Sequence, residues 1–124
     1  MAIKRTLKVI GNATKAGFQW PDWSGPLKKV KEELRELEGE IRRRARNKEK
    51  ISEEIGDLLF SVCNLATRFD LDPEKSLHAT LKKFETRFRF VERELKKKGK
   101  TPEQSNLKEM SALWEKVKRA MSRR

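Results

Sequence analysis

The spacing of its apolar residues constrains this chain more than any other feature. Leu27, Val30, Leu34, Leu37 and Ile41 recur at alternating intervals of three and four, the period that lines one face of an α-helix. The spacing returns in Ile55, Leu58, Leu59, Val62, Leu65, Ala66 and Phe69, and again in Leu77, Leu81, Phe84, Phe88, Val91 and Leu95. A last set runs Leu107, Met110, Trp114, Val117 and Met121. Strand-like alternation, internal repeats and a glycine-rich phosphate loop are all missing from the sequence. The expected fold class is therefore all-α, a four-helix-bundle-like domain.

Helix boundaries follow from the residues that interrupt these stripes. Helices are expected from about Pro26 to Arg44, Ser52 to Phe69, Glu74 to Lys98 and Ser105 to Met121. Ser24 or Asp22 would cap the first and Ser52 the second. Asp72-Pro73 restarts the chain for the third, and the cations Lys96 to Lys98 followed by Gly99 suit its end. Gly56, inside the second helix, costs about 1 kcal/mol against Ala and so points to a close approach there, by another helix or by a ligand. Residues 1–17 form a basic segment whose Ile3, Leu7 and Ile10 suit a short amphipathic helix, set apart from a helical domain over 18–124. Between them Phe18-Gln-Trp-Pro-Asp-Trp-Ser-Gly25 breaks regular structure, and its aromatics suit covering the end of a helical core or stacking on a ligand.

Charge narrows the partners. With 31 Lys and Arg against 19 Asp and Glu among 124 residues, the formal charge is +12. That favours polyanions, namely nucleotides, nucleic acid or an anionic surface. Cys63 and His78 each stand alone, which removes a disulfide framework, a cysteine metal site and a histidine-based triad. Cys63 lies in an apolar run and reads as a small core residue. No stretch approaches the length of a membrane span and no signal-type apolar region opens the chain, so a soluble, cytoplasmic protein is expected.

Against this basic background two acidic pairs stand out, Glu33 with Glu36 and Glu54 with Asp57, separated by the basic connection Arg42 to Lys50. At about 100° per residue, Lys29, Glu33, Glu36 and Glu40 share one flank of the first apolar stripe while Glu32 points away. Glu54, Asp57, Ser61, Asn64 and Arg68 make a polar stripe on the second helix that reads as the wall of a cleft. An antiparallel arrangement would bring four carboxylates together. So much like charge calls for a cation, and hard oxygen ligands suit Mg²⁺ with Mn²⁺ as a substitute. Lys83 and Arg87, four apart beside the third stripe, are placed to meet phosphate oxygens.

Glu33-x-x-Glu36, a spacer, then Glu54-x-x-Asp57 with Leu58-Leu59-Phe60 and Asn64 resembles the signature of the MazG nucleoside triphosphate pyrophosphohydrolases, in the all-α NTP pyrophosphatase superfamily. Gly17-Phe18-x-Trp20, Lys83-Phe84-Glu85-x-Arg87-Phe88-Arg89 and Met110 through Trp114 to Lys118 resemble that family in the same order, so the likeness runs from about Gly17 to Arg119. It implies a bundle that pairs as a homodimer, with a tetramer as the larger option, and Mg²⁺-dependent hydrolysis of NTPs to NMP and pyrophosphate.

The resemblance further implies that Glu33, Glu36, Glu54 and Asp57 hold the metal, with Glu36 also in the catalytic step. Lys83, Arg87 and Lys118 would bind the triphosphate, and Lys29, Asn64 and Trp114 would join the nucleotide pocket. The Trp114 and Lys118 segment would reach the partner's site across the dimer. Glu53, next to the metal pair, is a candidate for positioning water. Base preference is expected to be broad, since no base-reading residue is evident. Many members with this C-terminal-type pattern carry two such domains in one chain; here there is one, so linked regulation is expected to be absent or supplied by another protein. Two rival readings remain: a non-catalytic basic helical dimer binding RNA or another acidic partner, and a narrower pyrophosphatase for dCTP or dUTP.

Overall fold

A computed structural model describes residues 1–122. Its elements are α1 (Ala2–Lys15), α2 (Ser24–Ile41), α3 (Lys48–Thr67), α4 (Pro73–Lys97), a short 3₁₀ turn (Pro102–Gln104) and α5 (Leu107–Ser122). Every stripe seen in the sequence lies on a helix, apart from Phe69 just beyond the end of α3, and the fold is all-α. The chain divides into two compact units, Met1–Ser76 and Leu77–Arg124.

In the first unit α3 is the central element, packed against both α2 and α1. The basic 1–17 segment is thus a helix of this unit, laid on α3 through Ile10, which is buried. The α2–α3 connection turns the chain back on itself. Glu36 lies five residues before the end of α2 and Glu54 six residues after the start of α3, so an antiparallel pairing sets them at one level. Trp23 and Phe69 pack with ring centroids 6.4 Å apart.

The start of α3 differs from the expectation. Asn47, not Ser52, is the cap: its Oδ1 accepts the N–H groups of Glu49 at 3.0 Å and Lys50 at 3.3 Å, which would otherwise have no partner in the first turn. Ser52 falls inside the helix. At the start of α2 the Asp22 carboxylate accepts the Ser24 N–H at 2.8 Å and also the Ser24 hydroxyl. These two bonds hold the Asp22 carboxyl below its usual range, hydroxyl bond first.

At Gly56 the expected close approach by another helix of this chain is overturned. A Cβ there would meet nothing within 4 Å, so no other helix or side chain among the described residues approaches it closely. The close approach lies instead at Gly25, where a Cβ would fall 2.6 Å from Cγ of Trp20; the indole rests directly on that backbone.

In the second unit the deepest side chains are Val91 and Leu95 of α4, with Val117 of α5 also buried. Gly99 ends α4 at φ +72, donating to the Lys96 carbonyl at 2.9 Å while Lys100 N–H reaches the Leu95 carbonyl at 3.0 Å. This paired closure needs a left-handed residue that glycine supplies without a Cβ penalty. Glu109 of α5 then takes Lys98 at 3.4 Å, Lys100 at 3.3 Å and the Ser105 hydroxyl, which fixes the turn between the helices.

The stripes are only partly covered. Ile55, Leu59 and Val62 in the first unit and Leu77, Leu81 and Phe84 in the second each stay between 44% and 62% exposed. Contiguous apolar faces of that kind are uncommon on a solitary small domain.

Candidate metal and nucleotide site

Where α2 and α3 run side by side, Glu33, Glu36 and Glu54 each offer a carboxylate oxygen, all within 4.8 Å of one another. Glu33 is only 5% exposed. One of its oxygens lies 3.0 Å from Lys29 Nζ, while the other is buried without a hydrogen-bond partner. Glu54 likewise holds a buried oxygen without a partner. Carboxylate oxygens turned inward and left unmet are what a hard cation requires.

The electrostatics agree. The Glu36 carboxyl is pushed up, first by sharing a hydrogen bond with Glu33 and then by that neighbour's charge. Glu54 is pushed up by desolvation first, then by the charges of Glu36, Asp57 and Glu33. Like charges this close favour protonation unless a positive ion joins them. The donor set thus fits a divalent cation.

Among the described residues Asp57 is not part of this close trio, although its charge is felt at Glu54; it sits exposed one turn further along α3. Glu53 is exposed and outside the trio as well. Lys29 is committed to acids, with Nζ 3.0 Å from Glu33 and 3.4 Å from Glu32, and bonding to Glu33 and then Glu32 raises its pKa.

Beside the trio lies a cavity of about 270 Å³ enclosed by α1, the α1–α2 connection, α2 and α3. Lys29, Ser61, Asn64 and Arg68 line it, so three members of the α3 polar stripe form the cleft wall that their spacing suggested. Gln19 and Trp20 complete the opposite side. Sequence reasoning did not single out Gln19, because a lone amide in a loop has no periodicity to mark it.

The remaining candidates belong to the second unit. Arg87 stands 5.8 Å above the Trp114 ring, within reach of a cation–π contact, and Trp114 packs on Phe84 at 4.9 Å between centroids. The Arg87 Nε is buried without a partner. Lys83 and Lys118 are exposed.

A family model described as the MazG nucleotide pyrophosphohydrolase domain matches residues 25–91, a span containing the trio, Asp57, Asn64, Lys83 and Arg87. The chain belongs to the MazG family. It is 35% identical over 117 residues to the nucleoside triphosphate pyrophosphohydrolase/pyrophosphatase MazG of Thermotoga maritima, covering 94% of this chain and 44% of that one. It is 36% identical over 118 residues to the nucleoside triphosphate pyrophosphohydrolase of Escherichia coli K12, covering 95% and 45%. The chain therefore spans slightly less than half the length of these curated relatives. The α1 and Gln19–Trp20 walls of the cavity, and Trp114 and Lys118, lie outside the family segment. No helix among the described residues is long and apolar enough to cross a membrane.

Proposed function

We propose that this chain hydrolyses nucleoside triphosphates to nucleoside monophosphate and pyrophosphate with Mg²⁺, accepting a broad range of bases. The observation behind the reading is the trio Glu33, Glu36 and Glu54, within 4.8 Å of one another and with a buried, unmet oxygen on Glu33 and on Glu54, in a chain of the MazG family. Two relatives bear the corresponding name. Glu33, Glu36 and Glu54 would hold the ion, with Asp57 drawn in from the next turn. Bound there, Mg²⁺ would supply charge neutralisation for the phosphate oxygens and a lowered pKa for a water beside it.

The chain's own groups would do the rest. Glu36, in the trio, and the exposed Glu53, next to Glu54 in sequence, would orient an attacking water and accept its proton. Lys29 would leave Glu33 once the cation replaces it, freeing its ammonium for the substrate. Lys83, Arg87 and Lys118 would hold the triphosphate and the departing pyrophosphate, Arg87 in a bidentate grip, with Trp114 beneath it. Asn64 would contact the nucleoside.

A homodimer fits the half-exposed stripes through Leu59 and Leu81, and a cytoplasmic setting fits a nucleotide substrate. Glu36→Gln and Asp57→Asn should each abolish pyrophosphate release while leaving helical content by circular dichroism intact. Activity retained in both would move the metal site elsewhere.

A further inference from the structure

We infer that the cavity between α1, the α1–α2 connection and α3 is a nucleobase subsite, and that the Gln19–Arg68 pair in its wall makes it favour bases presenting a carbonyl oxygen over bases presenting an amino group. The inference rests on the reading of the adjoining trio as a nucleotide site.

Size and lining come first. At about 270 Å³ the cavity falls just under the usual range for drug-sized ligands, which suits one heteroaromatic ring system and part of its sugar. Its walls are mostly apolar, and two aromatics border it, Trp20 at 45% and Phe18 at 85% exposure. An exposed aromatic at the rim of a cavity offers a face on which a base can stack. Trp20 is held in place by Gly25, whose backbone it rests on so closely that a Cβ would sit 2.6 Å from the ring.

Position comes second. Lys29 lines the cavity while its Nζ lies 3.0 Å from a Glu33 oxygen. One side chain thus spans the cavity mouth and the trio, and a nucleotide seated in the cavity would send its phosphates toward the carboxylates.

Polarity decides the preference. Arg68 Nη1 donates to Gln19 Oε1 at 2.7 Å. A guanidinium has donors only, so this bond fixes the amide: its oxygen faces Arg68 and its NH₂ is turned away as a donor. Arg68 adds further N–H groups, one of them, Nε, buried without a partner. Asn64, also on the wall, can present either end of its amide and does not discriminate. A base carbonyl oxygen meets donors at Gln19; an exocyclic amino group meets donors with a donor. Gln19 and Trp20 lie N-terminal to the family segment, whereas Asn64 and Arg68 lie within it, so the discriminating donor would come from outside it.

Inosine and adenosine, which differ at the purine 6-position as carbonyl against amino, test this directly. The metal-free full chain is titrated with each nucleoside and followed by amide NMR shifts. Inosine should bind about three- to tenfold more tightly, the effect of one net hydrogen bond, with shifts at Ala13, Gln19 and Asn64. Gln19→Glu keeps an acceptor for Arg68 and removes the donor, so it should reverse the order. Gly25→Ala, which displaces Trp20, should weaken both nucleosides. Equal affinities, no binding, shifts elsewhere or an order unchanged by Gln19→Glu would overturn the inference. Neither nucleoside carries a phosphate, so the result is independent of hydrolysis: binding in order without pyrophosphate release would sink the proposed activity alone, and release without the preference would sink the subsite alone.

Discussion

Replacing Glu33 by Gln should make the metal-free protein more stable and the metal-loaded protein relatively less so. Glu33 is 5% exposed, with one oxygen 3.0 Å from Lys29 and the other buried and unmet beside two further carboxylates. The amide keeps an acceptor for Lys29, removes one negative charge from the trio and turns N–H groups toward its neighbours. Relieving a buried unmet acceptor contributes about 1–2 kcal/mol, which for a domain of this size raises Tm by about 3–8 °C. Mg²⁺ at a hundred times its Kd should stabilise the wild type by about 2.7 kcal/mol and the variant far less. Thermal unfolding by circular dichroism, in EDTA and in saturating Mg²⁺, should therefore show the two proteins exchanging order. A variant that melts below the wild type in EDTA, or that responds to Mg²⁺ equally, would refute the assignment of Glu33 as a ligand.

Three further outcomes are expected. Because the Glu36 and Glu54 pKa values are raised, their contribution to metal-free stability is present at acid pH and lost as pH rises through those values. Protons then compete with the cation, so the Mg²⁺-induced Tm shift should fade on acidification at a higher pH than ordinary glutamates would set; a shift constant down to pH 4 would contradict this. Asn47→Ala should cost about 1 kcal/mol in urea unfolding while Ser52→Ala costs little, and the reverse ranking would restore Ser52 as the cap. Arg87→Met should raise KM for a nucleoside triphosphate about tenfold, and an unchanged KM would remove Arg87 from substrate binding.

The helices were legible because periodicity is a property of sequence alone. The stripes through Leu37, Leu65, Val91 and Val117 mark α2 to α5, and Glu33, Glu36 and Glu54 meet because each flanks its stripe at matching height. The start of α3 was not legible, since Asn47 follows the run from Arg42 to Arg46 and its first turn, Lys48 to Ile51, is polar enough to resemble the connection. At Gly56 the helix half of the reading failed for a different reason: the entropic cost is visible in sequence, but whether another helix of the chain fills the space beside it is a tertiary fact. Gln19 gained a role only through Arg68, 49 residues away, a pairing no local pattern encodes. The carboxylate trio and the cations Lys83 and Arg87 were recognisable as residue types suited to a metal and a phosphate, yet Asp57 standing one turn outside the trio depends on the α2–α3 register.

The central claim is tested most directly by following a nucleoside triphosphate with the purified chain and Mg²⁺ by phosphorus NMR. Cleavage of the α,β bond predicts equimolar nucleoside monophosphate and pyrophosphate, lost in EDTA. Nucleoside diphosphate with orthophosphate, or an unchanged triphosphate across all common bases, would contradict it.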